Sequence, residues 1–311
     1  MSRLGFTEKG LQSAMSNMSA NYRPGQGAAV GALLAGATVW GLIWYPYRAI
    51  EAAGLSGVLA TTLTYGVALI LGVALLWPKL RGVRIDGWLV AIALSAAGCN
   101  LGYVLATLHG EVMRVLLLFY LAPLWTVLLA RLLLNERLHA VGAAVVGLSL
   151  AGAVVMLWHP ALGAPWPRQG AEWLGLAAGM LFALSNVLIR RAHHFSIELK
   201  SMAVFAGVVA VGIVSHILLA VPALPAPDVG VSKMSAALIV VVGVVLLAIN
   251  LVVQYGLTQV QANRAVVIFL FELVVAAAAS WWLAGEVMGP REWLGGGLIV
   301  AASLFSARIE S

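Results

Sequence analysis

Charge is what this chain has least of. Asp, Glu, Lys and Arg make up 10% of its 311 residues, where soluble domains carry about a quarter. With 62% hydrophobic residues and a mean hydropathy of +0.99, that scarcity excludes both a water-soluble globule and a disordered chain. There is one cysteine, Cys99, in an apolar stretch, so an intrachain disulfide and a cysteine-based metal site are excluded. The 33 glycines keep no triplet period, which excludes collagen. G-x-S-x-G, H-E-x-x-H and a Gly-rich phosphate loop are missing, which argues against an enzyme and against ATP use. His193 and His194 are adjacent, and neighbours in sequence do not share a helix face, so no metal pair is expected. No cofactor is expected either. No basic run exceeds two residues, so the net charge of +6 does not point to nucleic acid. The polar N-terminal segment, 1–26, lacks the apolar core of a secretory signal and reads as cytoplasmic.

What is present is a series of ten apolar segments, near 28–49, 57–77, 87–108, 112–134, 139–158, 171–190, 201–221, 234–257, 264–284 and 292–308. A bilayer-spanning helix needs about 20 residues. Continuous Leu/Val/Ala runs, rather than alternating ten-residue segments, specify helices and not a barrel. Breakers separate them, among them Trp77-Pro78-Lys79, Asn135-Glu136-Arg137 and Gly289-Pro290-Arg291. The longer connections hold Pro160, Pro165 and Pro167, and Pro222, Pro225 and Pro227. With the N-terminus inside, the inner segments carry 13 of the 18 Lys and Arg residues, and only Arg48, Arg114, Arg168, Lys233 and Arg291 fall outside. That bias places both termini in the cytoplasm. Trp158, Trp166, Trp173, Trp281, Trp282 and Trp293 stand near span ends, where interfacial Trp belongs.

The two halves align with each other. At an offset of 150, Asn100 matches Asn250, Arg114 matches Arg264, Glu136 matches Glu286 and Gly147-Leu148 matches Gly297-Leu298. At an offset of 144, Gly31 matches Gly175. Five spans per half is an odd number, so the second half enters the membrane from the opposite side. Inverted repeats place a site at the midplane between halves and permit alternating access.

Residues 110–152 (GEVMRVLLLFYLAPLWTVLLARLLLNERLHAVGAAVVGLSLAG), residues 263–288 (NRAVVIFLFELVVAAAASWWLAGEVM) and Trp40-Gly41 in the first span resemble the drug/metabolite transporter superfamily, specifically its ten-helix EamA-domain members. The resemblance covers about 27–308. It implies an all-α membrane protein of ten transmembrane helices, built as two inverted five-helix EamA repeats at 27–158 and 171–308, with a Pro-rich outer linker at 159–170. It also implies a secondary transporter in the inner membrane, exporting a small metabolite such as an amino acid, with the bilayer and the substrate as partners; protons are a candidate partner through Glu272 alone. Monomer and homodimer stay open. A channel-like or exchange-only facilitator is the alternative, and a membrane enzyme a more distant one. Family members often have Glu-Pro where this chain has Glu272-Leu273; the first half has Ala122-Pro123. The resemblance therefore carries a proline kink to Pro123 but not to the ninth span.

Glu272 is the sharpest candidate, a carboxylate inside an apolar span. Such a group must face a cavity, find a partner or take up a proton. It serves either as a proton-coupling group or substrate-ammonium partner, or as a hydrogen-bonded lock between helices. Asn100, Tyr103 and Thr107 share one face of the third span, and Asn250 and Gln254 one face of the eighth. These line the site or bond helix to helix. Trp40 is a candidate wall for substrate stacking, whereas Trp44, Tyr45 and Tyr47 read as an outer stripe. Asn186 is the polar group expected of the sixth span, and Tyr120 lies one turn before Pro123. Arg114 and Arg264 are expected to snorkel to the interface, with gating as the second reading. His216 is expected to be a core histidine.

Overall fold

The structure is a computed structural model that describes residues 26–81, 85–110, 112–158, 166–218, 233–283 and 289–309. The polar N-terminal segment, Pro160 and Pro165, Pro222 to Pro227 and Glu286 lie outside the described residues. Among the described residues there is helix and no strand. In chain order the helices are α1 (Gln26–Leu42), α2 (Trp44–Ala52), α3 (Gly57–Leu80), α4 (Gly87–His109), α5 (Val112–Phe119), α6 (Ala122–Leu134), α7 (Ala140–Leu157), α8 (Gly170–Arg191), α9 (Ile197–Leu218), α10 (Lys233–Gln259), α11 (Ala262–Phe269), α12 (Phe271–Leu283) and α13 (Pro290–Phe305). A 3₁₀ turn, Ser306–Ile309, follows.

Nine described stretches are long and apolar enough to cross a membrane. The first, fourth and ninth of them are each made of two helices end to end: α1 with α2, α5 with α6, and α11 with α12. The tenth, α13, has 16 residues, a rise of about 24 Å that the 3₁₀ turn extends. The seventh span, α9, starts at Ile197, earlier than hydropathy suggests, because the charged Glu198 and Lys200 are absorbed into its first turn. Some helix starts are capped by side chains. Asp86 accepts from the Trp88 and Leu89 amides at 2.9 and 3.1 Å, and Ser56 accepts from Leu59 at 3.3 Å. Asn135 ends α6 at φ 55°, a left-handed position that asparagine tolerates.

Packing repeats across the two halves. Helix α4 lies on α8 and on α9, and α10, five spans on, lies on α1 and on α3. The α5–α6 span packs on α8, as the α11–α12 span packs on α1. The α3–α9 and α7–α13 pairs map onto themselves. The α7–α13 contact is close enough to demand glycine on both sides. A Cβ on Gly152 would stand 2.7 Å from the Gly295 carbonyl oxygen, and one on Gly295 would stand 2.5 Å from that of Gly152.

Large apolar side chains such as Ile70, Leu75, Leu132, Ile217, Val241 and Leu304 point outward, as do the six tryptophans near span ends. Such a belt is untenable in water and fits a multi-pass membrane protein. One end of the bundle gathers Gln26, Glu136, Arg190 and Ile309, which rests on Gly142; the other holds Arg114 and Glu172.

Candidate functional site

Three spans are broken, and two of the breaks meet. In the fourth span the helical ladder lapses at Tyr120 and Leu121, with Leu121 N–H bonding Leu118 O at 3.3 Å and Leu124 N–H bonding Leu121 O at 2.9 Å. Pro123 is buried at the second position of α6, where its missing N–H is tolerated. In the ninth span the ladder lapses at Leu270, where no proline stands, and Leu273 N–H bonds Leu270 O at 3.1 Å. Tyr120 and Leu270 are 150 residues apart, the repeat offset. The first span lapses at Ile43, shortly before Pro46.

Glu272 is the second residue of α12. Its side chain therefore leaves the first turn after the break. The Tyr120 hydroxyl lies within electrostatic reach of the Glu272 carboxylate, and Tyr120, Leu270 and Leu273 pack in one apolar cluster, which brings the break in the fourth span to the break in the ninth. Glu272, the one carboxylate of this apolar span, is partly buried between the buried Leu270 and Leu273. Tyr103 and Cys99, on α4, lie within electrostatic reach of it. Helix α1 closes on the same place: a Cβ on Gly41 would stand 2.8 Å from the Glu272 carbonyl oxygen. That contact brings Trp40, half-buried against the main core, to the neighbourhood of Glu272.

An aromatic line runs from this point across four spans. Ring centroids are 5.1 Å apart for Tyr103–Phe119, 5.2 Å for Phe119–Tyr120, and 5.7 Å for both Phe119–Phe182 and Phe182–Phe269. These are edge-to-face and tilted contacts of the kind aromatic pairs prefer.

The amides fall in two environments. Asn100 is engaged: Tyr65 donates to its Oδ1 at 2.9 Å, and its Nδ2 donates to Ala96 O at 2.8 Å. Asn186, Asn250 and Gln254 are 8%, 7% and 1% exposed, and their Nδ2, Oδ1 and Oε1 atoms have no protein partner. Thr107 bonds the carbonyls of Tyr103 and Val104 on its own helix. Tyr47, far from an outward stripe, hydrogen-bonds Thr64 at 2.6 Å. Both ring nitrogens of His216 are buried without a protein partner.

The arginines depart from expectation. Arg114 does not snorkel. It is buried, and donates from Nε and Nη2 to Glu172 at 2.7 and 3.2 Å and to Trp166 O at 3.0 Å. Arg264 is likewise buried. At the opposite end Arg190 donates to Glu136 at 2.5 Å and to Val260 O at 2.6 Å, while Glu136 also accepts from the Ala262 amide at 3.1 Å. Sequence reasoning missed Glu172 and Arg190 as ion-pair partners; the available clue was a lone acid at one end of the sixth span and the Arg190-Arg191 pair at the other. A lateral crevice of about 670 Å³ opens between α1, α3, α9 and α10, with Lys79 and Glu198 in its lining and none of the candidate residues.

Residues 169–308 match the EamA-like transporter family. The chain thus carries an EamA-type domain in its second half, in keeping with the drug/metabolite transporter superfamily, whose members are membrane transporters. One solved crystal structure superposes with a TM-score of 0.71 over 91% of this chain and 99% of the other, at 19% identity; at that identity the likeness shows the fold alone. No curated protein matches the sequence.

Proposed function

We propose that the chain is a secondary carrier that exports a small metabolite, an amino acid or a related compound, by alternating access, with Glu272 as its proton-coupling group. Two inverted five-helix repeats, 27–158 and 171–308, form the carrier, and the bundle end that gathers Gln26, Glu136 and Ile309 faces the cytoplasm. The Lys and Arg distribution supports that orientation, and the inner membrane is the proposed location.

The observation that carries the reading is the approach of Tyr120 to Glu272 at two broken spans. A carboxylate at mid-membrane costs about 2.5–3.5 kcal/mol even on the lenient insertion scale. A lock between helices needs only an amide or a hydroxyl. A partly buried carboxylate beside two broken spans is instead poised to exchange a proton or an ammonium with the transport path. Broken helices whose half-helix ends point at the site are how membrane carriers build binding sites.

The test is Glu272→Gln in reconstituted vesicles carrying a metabolite mixture on one side. The variant keeps the shape of the side chain, so the expected result is normal thermal stability, loss of gradient-driven accumulation and survival of counterflow. Gradient-driven accumulation equal to wild type by the folded variant overturns the coupling role. Flux that does not saturate with substrate favours a channel-like facilitator.

A further inference from the structure

Asn100 and Asn250 stand one repeat apart yet differ in what their carbonyl oxygens meet. That of Asn100 is taken by the Tyr65 hydroxyl; that of Asn250 has no protein partner and the residue is 7% exposed. The register of α3 against α9 gives the reason. The close approach of Gly72 to Met202 becomes that of Gly212 to Thr62 when each number shifts by 140. The approach of Gly207 to Ala93 becomes that of Gly243 to Val67 when the α3–α9 numbers shift by 140 and the α4–α10 numbers by 150. In that register Phe205 occupies the place of Tyr65, and the two rings meet edge to face at 5.8 Å. Phe205 has no hydroxyl to give. One turn along the same face of α10, Gln254 Oε1 is also without a protein partner, and that residue is 1% exposed. Residues four apart on a helix are neighbours, so two buried carbonyl oxygens belong to adjacent turns of one face, both acceptors only.

Building on the carrier reading, we propose that Asn250 and Gln254 receive a nitrogen of the transported molecule that bears at least two hydrogens, a primary ammonium or a primary amide. Phe205 is the residue that keeps Asn250 open. A hydroxyl offers one hydrogen, and so does a protonated dimethylamine; neither satisfies both oxygens. The first half, closed by Tyr65, has no such vacancy, so the site belongs to the second half.

The experiment measures binding of 2-phenylethylamine, its N,N-dimethyl form, 2-phenylethanol and 3-phenylpropanamide to the full chain in lipid nanodiscs. The phenyl group is chosen for the aromatic line described above. The primary amine, the primary amide or both should bind about 10-fold more tightly than the dimethylamine and the alcohol, the value of one further hydrogen bond; which of the two binds separates ammonium from amide. Phe205→Tyr supplies the missing hydroxyl and should abolish the preference while keeping or raising thermal stability. Gln254→Leu should abolish it by removing the second acceptor, and decides the matter if Phe205→Tyr does not fold. Equal binding of all four ligands to wild type, or a preference that survives in both variants, overturns the proposal. The carrier reading fails separately: if the preference holds but wild-type vesicles accumulate none of the ligands or metabolites offered, the site stands and the transport does not.

Discussion

The two buried ion pairs tie the same two spans together at opposite ends, and a carrier must release them in turn. The Arg114–Glu172 pair joins α5 to the start of α8, with side chains 8% and 4% exposed, and Glu172 also accepts from the Arg168 amide at 2.6 Å. The Glu136–Arg190 pair joins the end of α6 to the end of α8, at 11% and 22% exposure, and holds the first amide of α11. Removing one partner of a buried pair costs about 3–5 kcal/mol; the more exposed pair is discounted to about 2 kcal/mol. If each cost falls on the state in which that end is closed, Glu172→Gln shifts the population towards opening at its end by at least 100-fold, and Glu136→Gln towards opening at the other by about 30-fold. Cys99 is the sole cysteine and lies within reach of Glu272, so it reports access without engineering. In sided vesicles, an impermeant maleimide should label Cys99 faster from the Arg114 end in Glu172→Gln and from the Glu136 end in Glu136→Gln. Acceleration from the same side in both variants, or none in either with the fold intact, refutes the reasoning.

Two further expectations concern stability, read by thermal unfolding of purified protein. Gly152→Leu should destabilise by about 1–3 kcal/mol through overpacking, because its Cβ would meet the Gly295 carbonyl oxygen at 2.7 Å, whereas Gly147→Leu, with nothing within 4 Å, should be neutral. Lys200→Met should be neutral or stabilising, since the ammonium is fully buried and donates to Ile189 O at 3.3 Å, and an uncompensated buried charge costs more than an apolar replacement of similar length.

The spans were legible because hydropathy is a sum over twenty residues and no local contact reverses it. Glu272 was legible for the same reason: one carboxylate in an apolar run is expensive wherever it points. What it faces was not, because Tyr120 lies 152 residues away and their approach depends on how two broken helices cross. The arginines show the limit of reasoning one residue at a time. Arg114 near a span end reads as an interfacial snorkel; its burial follows only once Glu172, from another span, is placed against it. Asn100 and Asn250 look equivalent along the chain, and Tyr65 and Phe205, on other helices, make them different.

The ninth span shows most clearly why a local breaker is neither necessary nor sufficient. Pro123 in the fourth span and Leu273 in the ninth occupy the same repeat position, yet both spans lapse at the preceding turn. In the ninth the tightened bond runs from Leu273 N–H to Leu270 O; in the fourth, Pro123 has no N–H, and the equivalent bond slips one residue to Leu124 and Leu121. Proline therefore adjusts the break rather than creating it. The common factor is tertiary: each break lies against a close backbone approach from the other half, Gly41 on the Glu272 carbonyl and Gly179 on the backbone of Phe119. Those contacts hold the two half-helices apart from a straight ladder, which is the kind of cause that marks a kink as part of a site and not as slack in the chain.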